Sequence, residues 1–346
     1  MIIRHLPVTL ESTERMEQLE ASALFATPIG SISVSGIVSQ LHDTVAPHQF
    51  LRNSLTAMGV VLSVLSQFKV RNCNAVWFCY YVSRGYESKD KSMSPKELVI
   101  ALFTAAFADH DPEAARQLVT PDYIQHNPQI PTGAESLVGL IPLVEQSGMT
   151  GTTHRVIAEG DMVVLHSTFE NADAFGAPTL AAFDIFRVAD GKVAEHWDNL
   201  QPVPETTVSG RGMTDGPTEI TDLDKTEENK ALVLGFVRDV LGGAAPEKAP
   251  MYSEVYMQHN PMLADGIDGL MEGTKAWAEQ GNVITKFEPQ IVVAEGNFVF
   301  VASDATVSEK PWAFFDLWRV EDGKIVEHWD VVSPTPAEMV HGNGKF

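Results

Sequence analysis

Two pairs of side chains have the types and spacing of an acid–base unit. His196 and Asp198 are separated by one residue in the string Glu-His-Trp-Asp, and His328 and Asp330 stand in an identical string. Residues two apart in a β-strand project from the same face, so each imidazole is expected beside its carboxylate. An apolar cavity would raise the pKa of the carboxyl group, and the histidine could hold it ionised or pass it a proton. The competing interpretation is that both groups bond to backbone near a strand end.

A second motif, His-Asn-Pro, also occurs twice. It contains His126 and Asn127 in its first copy and His259 and Asn260 in its second. Proline forces the preceding residue into an extended conformation and marks a turn. The histidine or the asparagine amide could donate a hydrogen bond to a substrate carbonyl oxygen and stabilise developing negative charge. The alternative is that the histidine caps a helix or strand end.

Three further residues are candidates for substrate binding. His166 lies in a run predicted to be a strand, and its counterpart in the second copy is Ala302, so one copy would carry an extra titratable group. Asp184 and Asp316 recur between aromatic residues. They could face the same cavity, or each could pair with the arginine three positions further along.

These motifs belong to a long internal repeat, which is the strongest signal in the sequence. Three blocks recur in the same order, with offsets that differ by only a few residues. The pairs are 123–128 with 256–261, 157–164 with 293–300, and 183–198 with 315–330. A long period present twice indicates a duplicated domain rather than a solenoid. We expect domains at 93–204 and 225–338, an exposed linker at 205–224, and an extension of unknown structure at 1–92.

Each copy has helical patterns first and strand-like patterns afterwards. Helices are predicted at 95–108, 112–119 and 134–146 in the first copy and at 226–241 and 267–279 in the second. Strands are predicted at 152–159, 162–170, 179–188, 192–201, 284–294, 297–307, 311–320 and 324–332. The dipeptides Asp190-Gly191 and Asp322-Gly323 indicate hairpin turns. The prediction is an α+β fold in which helices pack in a curved antiparallel sheet.

Composition excludes several classes of function. The 346 residues carry a net charge of -22, which argues against a nucleic-acid partner because phosphate binding needs a positive surface. No apolar stretch reaches the length of a membrane span, and two cysteines cannot form a disulfide framework. We expect a reducing, cytoplasmic location. The histidines show no metal-ligand spacing and there is no nucleotide-binding glycine motif, so neither a metal nor another cofactor is expected.

The blocks Tyr123–Pro128 and Phe183–Asp198, together with their second copies, resemble the SnoaL-like polyketide cyclases. This family belongs to the nuclear-transport-factor-2-like (NTF2-like) superfamily, and its subgroup of aldol-condensation enzymes is the most similar. The resemblance implies a cone of helices against a curved sheet, a deep apolar pocket and no cofactor. It also implies that a pocket aspartate acts as general acid and base, and Asp198 and Asp330 are the matching positions.

Members of that family are usually single domains that dimerise, so the fused copies are expected to form a pseudo-dimer within one chain, with further self-association left open. The implied activity is aldol-type cyclisation, isomerisation or dehydration of a small apolar carbonyl compound, an activity of the isomerase or lyase type. His166 favours the first copy if one copy works. Two alternatives remain: a binding or scaffold protein without turnover, and an epoxide or lactone hydrolase that uses Asp184 together with Asp198.

Overall fold

The computed structural model describes residues 93–346, so the predicted extension at 1–92 lies outside the described residues. The helices are α1 Pro95–Phe107, α2 Pro112–Leu118, α3 Ala134–Val138, α4 Ile141–Ser147, α5 Thr226–Phe236, α6 Ala249–Tyr252 and α7 Gly266–Glu279. The strands are β1 Val119–Gln125, β2 Thr150–Glu159, β3 Met162–Glu170, β4 Thr179–Ala189, β5 Lys192–Pro202, β6 Met257–Gln258, β7 Ile284–Glu295, β8 Phe298–Val307, β9 Lys310–Glu321 and β10 Lys324–Pro334. We call 93–204 repeat 1 and 225–338 repeat 2.

Each repeat contains one five-stranded sheet, with strand order β1-β5-β4-β3-β2 in repeat 1 and β6-β10-β9-β8-β7 in repeat 2. The predicted antiparallel meander is present, and the α+β fold is confirmed. The sheets are mixed rather than purely antiparallel, because β1 and β6 pair in parallel with the last strand of their repeat. This pairing was not predicted: Pro121 lies within β1, and the register shifts between Val119 and Ile124.

Local sequence explains where the elements begin and turn. Helix α1 begins at a complete capping box, in which Ser94 accepts from the backbone of Glu97 and Glu97 accepts from Ser94, with Pro95 as the first helical residue. The β4–β5 turn places Asp190 and Gly191 at positive φ (51° and 73°), the conformation that favours Asp-Gly in two-residue hairpins. The predicted helix over 134–146 is instead two short helices, α3 and α4.

The two faces of each sheet have different partners. One face packs on the helices of its own repeat, as Leu98 and Leu102 of α1 do on Leu165 and Phe186. The opposite faces pack on each other in one apolar core shared by both repeats, which includes Phe183 of repeat 1. Burial of apolar side chains on both sides explains why the strands read as strongly hydrophobic.

Equivalent polar contacts tie the repeats together around this shared core. The carboxylate of Glu159 accepts from the backbone of Ala294, and that of Glu295 accepts from the backbone of Ala158. Each glutamate also pairs with a lysine, Glu159 with Lys230 and Glu295 with a lysine of α1. The repeats therefore associate with approximate two-fold symmetry within one chain.

The linker at 205–224 is exposed over most of its length, as expected, but it is anchored by contacts that the sequence did not predict. Arg155 of β2 donates hydrogen bonds to three main-chain carbonyls of the linker, those of Thr214 (3.1 Å), Asp215 (2.6 Å) and Pro217 (2.8 Å). The Arg155 guanidinium also stacks 4.2 Å above the ring of Trp329. Polar composition predicted the exposure but not these bonds, because they are made by main-chain carbonyls, which every sequence provides.

Candidate active site

Three ionisable side chains of repeat 1 meet on the helix-covered face of the sheet. Asp184 of β4 is the cross-strand partner of Asp198 of β5, and His196 lies two residues before Asp198 on the same face. Ligand atoms of these three groups lie within 4.8 Å of one another, close enough to share a proton or a cation. Asp184 is 8% exposed and Asp198 5% exposed, so both carboxyl groups lie in the protein interior.

The side chain of Gln125 fixes the protonation of the histidine. Its Oε1 accepts from the backbone N–H groups of His126 and Asn127, each at 2.9 Å, so this atom is the amide oxygen. His196 Nδ1 lies 3.0 Å from the same oxygen and must therefore be a donor. His196 Nε2 lies 3.1 Å from Asp184 Oδ1, and that bond needs one proton. A proton besides the one on Nδ1 is therefore shared between His196 Nε2 and Asp184 Oδ1, and burial raises the pKa of Asp184.

Asp198 is oriented by an amide from the loop that follows β1. Asn127 Nδ2 donates a 2.6 Å hydrogen bond to Asp198 Oδ2. Asp198 Oδ1 and Asp184 Oδ2 are buried and have no hydrogen-bond partner within residues 93–346. The hydroxyl of Tyr123 is also buried and unpartnered in the described part of the chain. Unpaired buried polar atoms are costly, so a cluster of them indicates a place where a polar ligand binds.

Repeat 2 contains the same arrangement, and Asp316 is more deeply buried there than Asp184 is in repeat 1. His328 Nε2 lies 3.1 Å from Asp316 Oδ1, and Asn260 Nδ2 donates to Asp330 Oδ2 at 2.7 Å. Burial raises the pKa of Asp316 well above its usual range and lowers the pKa of His328 to about 4, so burial favours the neutral form of both groups. Burial also raises the pKa of Asp330 to about 6.

One aromatic substitution distinguishes the two sites. In repeat 2, Trp318 stacks on His328, with ring centroids 5.1 Å apart, and its Nε1 donates to the hydroxyl of Tyr256 at 3.2 Å. In repeat 1 the equivalent residue is Phe186, which stacks on His196 at 4.6 Å but has no N–H to donate. The hydroxyl of Tyr123 is consequently left for another partner.

An open, largely apolar cavity of about 470 Å³ shares one residue, Asn127, with the site of repeat 1, and the carboxyl groups and Tyr123 are not in its wall. Its wall includes Asn127, the residue whose amide holds Asp198, together with Ile130, Leu140, Leu143 and Phe175. This volume falls within the range of small-molecule sites, which are largely apolar with a few polar groups.

The sequence profile of the SnoaL-like domain matches residues 99–196 and 235–328, together more than half of the chain. The chain belongs to the SnoaL-like family. No curated protein matched the sequence.

Several solved structures are similar to one SnoaL-like repeat. TsrD from Streptomyces laurentii is 25% identical, with 31% of this chain and 88% of TsrD covered and a TM-score of 0.28. IdmH, a proposed polyketide cyclase from Streptomyces antibioticus, is 25% identical over 32% of this chain and 93% of its own, with a TM-score of 0.27. An NTF2-like protein of unknown function from Cytophaga hutchinsonii is 17% identical over 33% and 95%, with a TM-score of 0.28.

The two histidines of the His-Asn-Pro motifs lie away from the carboxyl cluster of their SnoaL-like repeats. His126 stacks on Trp197 and its Nε2 contacts Glu195 Oε1 at 2.8 Å, while His259 stacks on Trp329 and contacts Glu327. The structure therefore places both rings on the face of the sheet opposite the carboxyl cluster, which is not where a role in binding a substrate carbonyl there would put them. In each motif the asparagine alone reaches the cluster.

His166 also lies on the face between the SnoaL-like repeats. It stacks on Phe183 with ring centroids 4.2 Å apart and lies 3.1 Å from Arg155. His166 was expected to face the cavity, and the structure places it on the other face of the sheet. It therefore gives no reason to favour repeat 1. The alternative that Asp184 pairs with Arg187 is likewise wrong, since Arg187 pairs with Glu195.

Sequence reasoning missed Tyr123 and Gln125, although both stand in the repeated motif. They alternate with Ile124 along β1, and Asn127 continues the same face. Alternation within Tyr-Ile-Gln-His-Asn was the available signal: it separates His126 from the face shared by Tyr123, Gln125 and Asn127.

No helix within residues 93–346 has the length and apolar character to cross a membrane.

Proposed function

We propose that the chain is an enzyme that transfers protons on a small apolar carbonyl compound, with Asp198 as the base. The observation that carries the proposal is Oδ1 of Asp198, a buried carboxylate oxygen without a hydrogen-bond partner in the described chain, in a side chain held by Asn127, which also lines an open apolar cavity. A buried carboxyl group beside a histidine is a common arrangement in sites of general acid–base catalysis.

The reaction begins with removal of a proton from the carbon next to the substrate carbonyl. Asp198 takes the proton, and the electron pair of the C–H bond moves onto the carbonyl oxygen to form an enolate. The hydroxyl of Tyr123, which has no partner in the described chain, can stabilise that oxygen by donating a hydrogen bond. Asp198 then returns the proton to the new alkoxide after an aldol closure or to a different carbon in an isomerisation.

The same groups also account for the dehydrating, lyase-type variant. There the proton goes to a departing hydroxyl group, which leaves as water. The proposal needs neither a metal nor an organic cofactor, because the substrate itself delocalises the negative charge. Treatment with EDTA is therefore expected to leave the activity unchanged.

The experiment is deuterium incorporation into 1,3-dicarbonyl compounds of graded size in D2O, followed by NMR. Wild type is expected to exchange the carbon-bound protons at least 100-fold faster than Asp198→Asn/Asp330→Asn. Asn keeps the shape of Asp and removes the base. Equal exchange in the two proteins would reject acid–base catalysis. Binding of the same compounds without exchange would then favour the non-catalytic alternative.

A hydrolase is the second candidate, and the closeness of Asp184 to Asp198 favours it. One carboxylate could orient a water molecule and take its proton while the other protonates an opening epoxide or lactone. Hydrolysis of such compounds in 18O-labelled water distinguishes the two candidates. Asp184→Asn would abolish a two-carboxylate hydrolysis, whereas it would retain part of the exchange because Asp198 remains as the base.

A further inference from the structure

Two segments cross from one repeat to the other in equivalent ways. The linker strap, residues 205–224, places the carbonyl of Gly212 at 2.7 Å from His259 Nδ1 of repeat 2. The tail strap, residues 339–346, places the carbonyl of Gly344 at 3.0 Å from His126 Nδ1 of repeat 1. Each strap thus follows one repeat and binds the other. The residues after the two glycines, Met213 and Lys345, occupy corresponding positions.

These two residues differ in chemistry although both are buried. Met213 lies in the apolar core shared by the repeats. Lys345 is 8% exposed, and its Nζ donates to the main-chain carbonyl of Asp198 at 2.6 Å. The ring of Phe315 lies 5.7 Å from the same ammonium. A buried lysine is unusual unless its charge has a partner.

The partner is the candidate base itself. Lys345 Nζ lies 3.9 Å from Asp198 Oδ1, the oxygen that has no hydrogen bond in the described chain. Burial lowers the pKa of Lys345, and the charge of Asp198 opposes that effect. Asp330 has no cation in an ion pair with it among residues 93–346, and burial raises its pKa to about 6. The equivalent carboxyl groups therefore meet different electrostatic surroundings.

We propose that Lys345, delivered by the tail strap, is a positioning residue that keeps Asp198 ionised and so makes repeat 1 the working site. The inference rests on the proposed function, in which Asp198 must be ionised to accept a proton. An opposite charge within about 4–6 Å favours the ionised form of a buried carboxyl group. The other titratable groups around Asp198 are Asp184, His196 and Tyr123, and none of them brings a permanent positive charge.

The test compares Lys345→Met, which copies Met213, with Lys345→Arg, which keeps the charge. The readout is the pH profile of kcat/KM for deuterium exchange. Loss of the ammonium is expected to move the acid limb of the Lys345→Met profile up by about one pH unit, a roughly tenfold lower rate on that limb. Lys345→Arg is expected to retain most of the wild-type profile. A Lys345→Met profile that superimposes on wild type would overturn the inference.

A measurement independent of turnover separates this inference from the proposed function. A 13C NMR titration of the carboxyl carbons, with the Asp198 signal assigned by Asp198→Asn, reports the ionisation directly. Lys345→Met is expected to raise the Asp198 pKa by about one unit, and no change would overturn the role of Lys345. If wild type shows no exchange but the titration shifts, the proposed function fails and the electrostatic role of Lys345 stands.

The reciprocal change gives a gain-of-function control. Met213→Lys is expected to place an ammonium near the site of repeat 2. In an Asp198→Asn background it should therefore raise the residual exchange at least threefold at pH 6. Unchanged thermal stability of this variant together with unchanged exchange would contradict the claim that the strap residue sets which repeat works.

Discussion

Asn127 and Asp198 are 71 residues apart in the chain and are joined by a 2.6 Å hydrogen bond from Nδ2 to Oδ2. This bond joins the loop after β1 to the middle of β5, the last strand of repeat 1. Parallel pairing of β1 with β5 brings the loop and the strand together. Because Oδ2 is engaged, the second oxygen of the carboxylate is left for a substrate. Asn260 and Asp330 repeat the arrangement at 2.7 Å.

Loss of the orienting amide is expected to affect catalysis in repeat 1 only. Asn127→Ala removes the donor to Asp198 and should lower kcat for exchange by about 10- to 100-fold, because the base loses its fixed position. Asn260→Ala is the matched control: both asparagines also accept a backbone bond in the following turn, so the structural cost is shared. Similar loss of activity in the two variants would contradict a leading role for repeat 1.

The two equivalent tyrosines are expected to differ in stability. Tyr123→Phe removes a buried hydroxyl that has no partner in the described chain, so the free energy of unfolding should stay within about 0.5 kcal/mol of wild type or rise. Tyr256→Phe leaves the indole N–H of Trp318 without an acceptor and should cost about 1–2 kcal/mol. Urea unfolding measures both.

The loss of activity is expected to be larger for Tyr123→Phe than for Tyr256→Phe, which is the reverse of the order expected for the loss of stability. Tyr123→Phe should lower exchange by about tenfold or more, because the enolate oxygen loses a donor. Tyr256→Phe should leave exchange nearly unchanged. If Tyr123→Phe is destabilised and fully active, its hydroxyl has a structural role and the assigned site is wrong.

The buried carboxyl group of Asp330 predicts a pH-dependent stability. Its pKa rises from the ordinary 3.8 to about 6 in the folded protein, so folded protein binds the proton more tightly than unfolded protein. The resulting stabilisation is fully present below about pH 4 and is lost as the pH rises through about 6. Asp330→Asn avoids the cost of burying the charge and should stabilise the protein at pH 8 by up to about 3 kcal/mol.

At pH 4 the Asp330→Asn variant and wild type should be almost equally stable. Asp322→Asn, in an exposed hairpin turn, controls for the loss of one negative charge. Thermal or urea unfolding at both pH values measures the difference. If Asp330→Asn changes the stability equally at pH 4 and pH 8, the pKa of Asp330 is not raised in the folded protein and the prediction is contradicted.

The contact between Arg155 and the linker strap is expected to be a major contributor to stability. Arg155→Ala removes three hydrogen bonds to linker carbonyls and the stacking on Trp329, which should cost about 3 kcal/mol, although Asp215 keeps the indole N–H of Trp329 as a donor. Limited proteolysis should then cut within 205–224 faster than in wild type. Arg116→Ala, which removes exposed ion pairs, should change stability by less than about 1 kcal/mol.

Much of this arrangement could be predicted from the sequence. The repeat located both SnoaL-like copies, and the two-residue period of β5 predicted that His196 and Asp198 share a face. The structure places them so, beside Asp184. These predictions depend on local periodicity, which the chain displays directly.

The failures involve contacts between segments distant in sequence. Strand β1 depends on its parallel partner β5, and a strand of this kind that contains proline has no strong local signature. His126 and His166 were expected in the cavity because histidine is chemically versatile, although only packing decides the face. The straps bind through carbonyl groups and through Lys345, which no motif indicates.

The most direct test of the account compares Asp198→Asn with Asp330→Asn in the deuterium-exchange assay at pH 7. We predict that Asp198→Asn lowers exchange at least 100-fold and that Asp330→Asn lowers it less than threefold. Full exchange in Asp198→Asn, or loss of exchange in Asp330→Asn alone, would contradict the claim that the carboxylate of repeat 1 is the catalytic base.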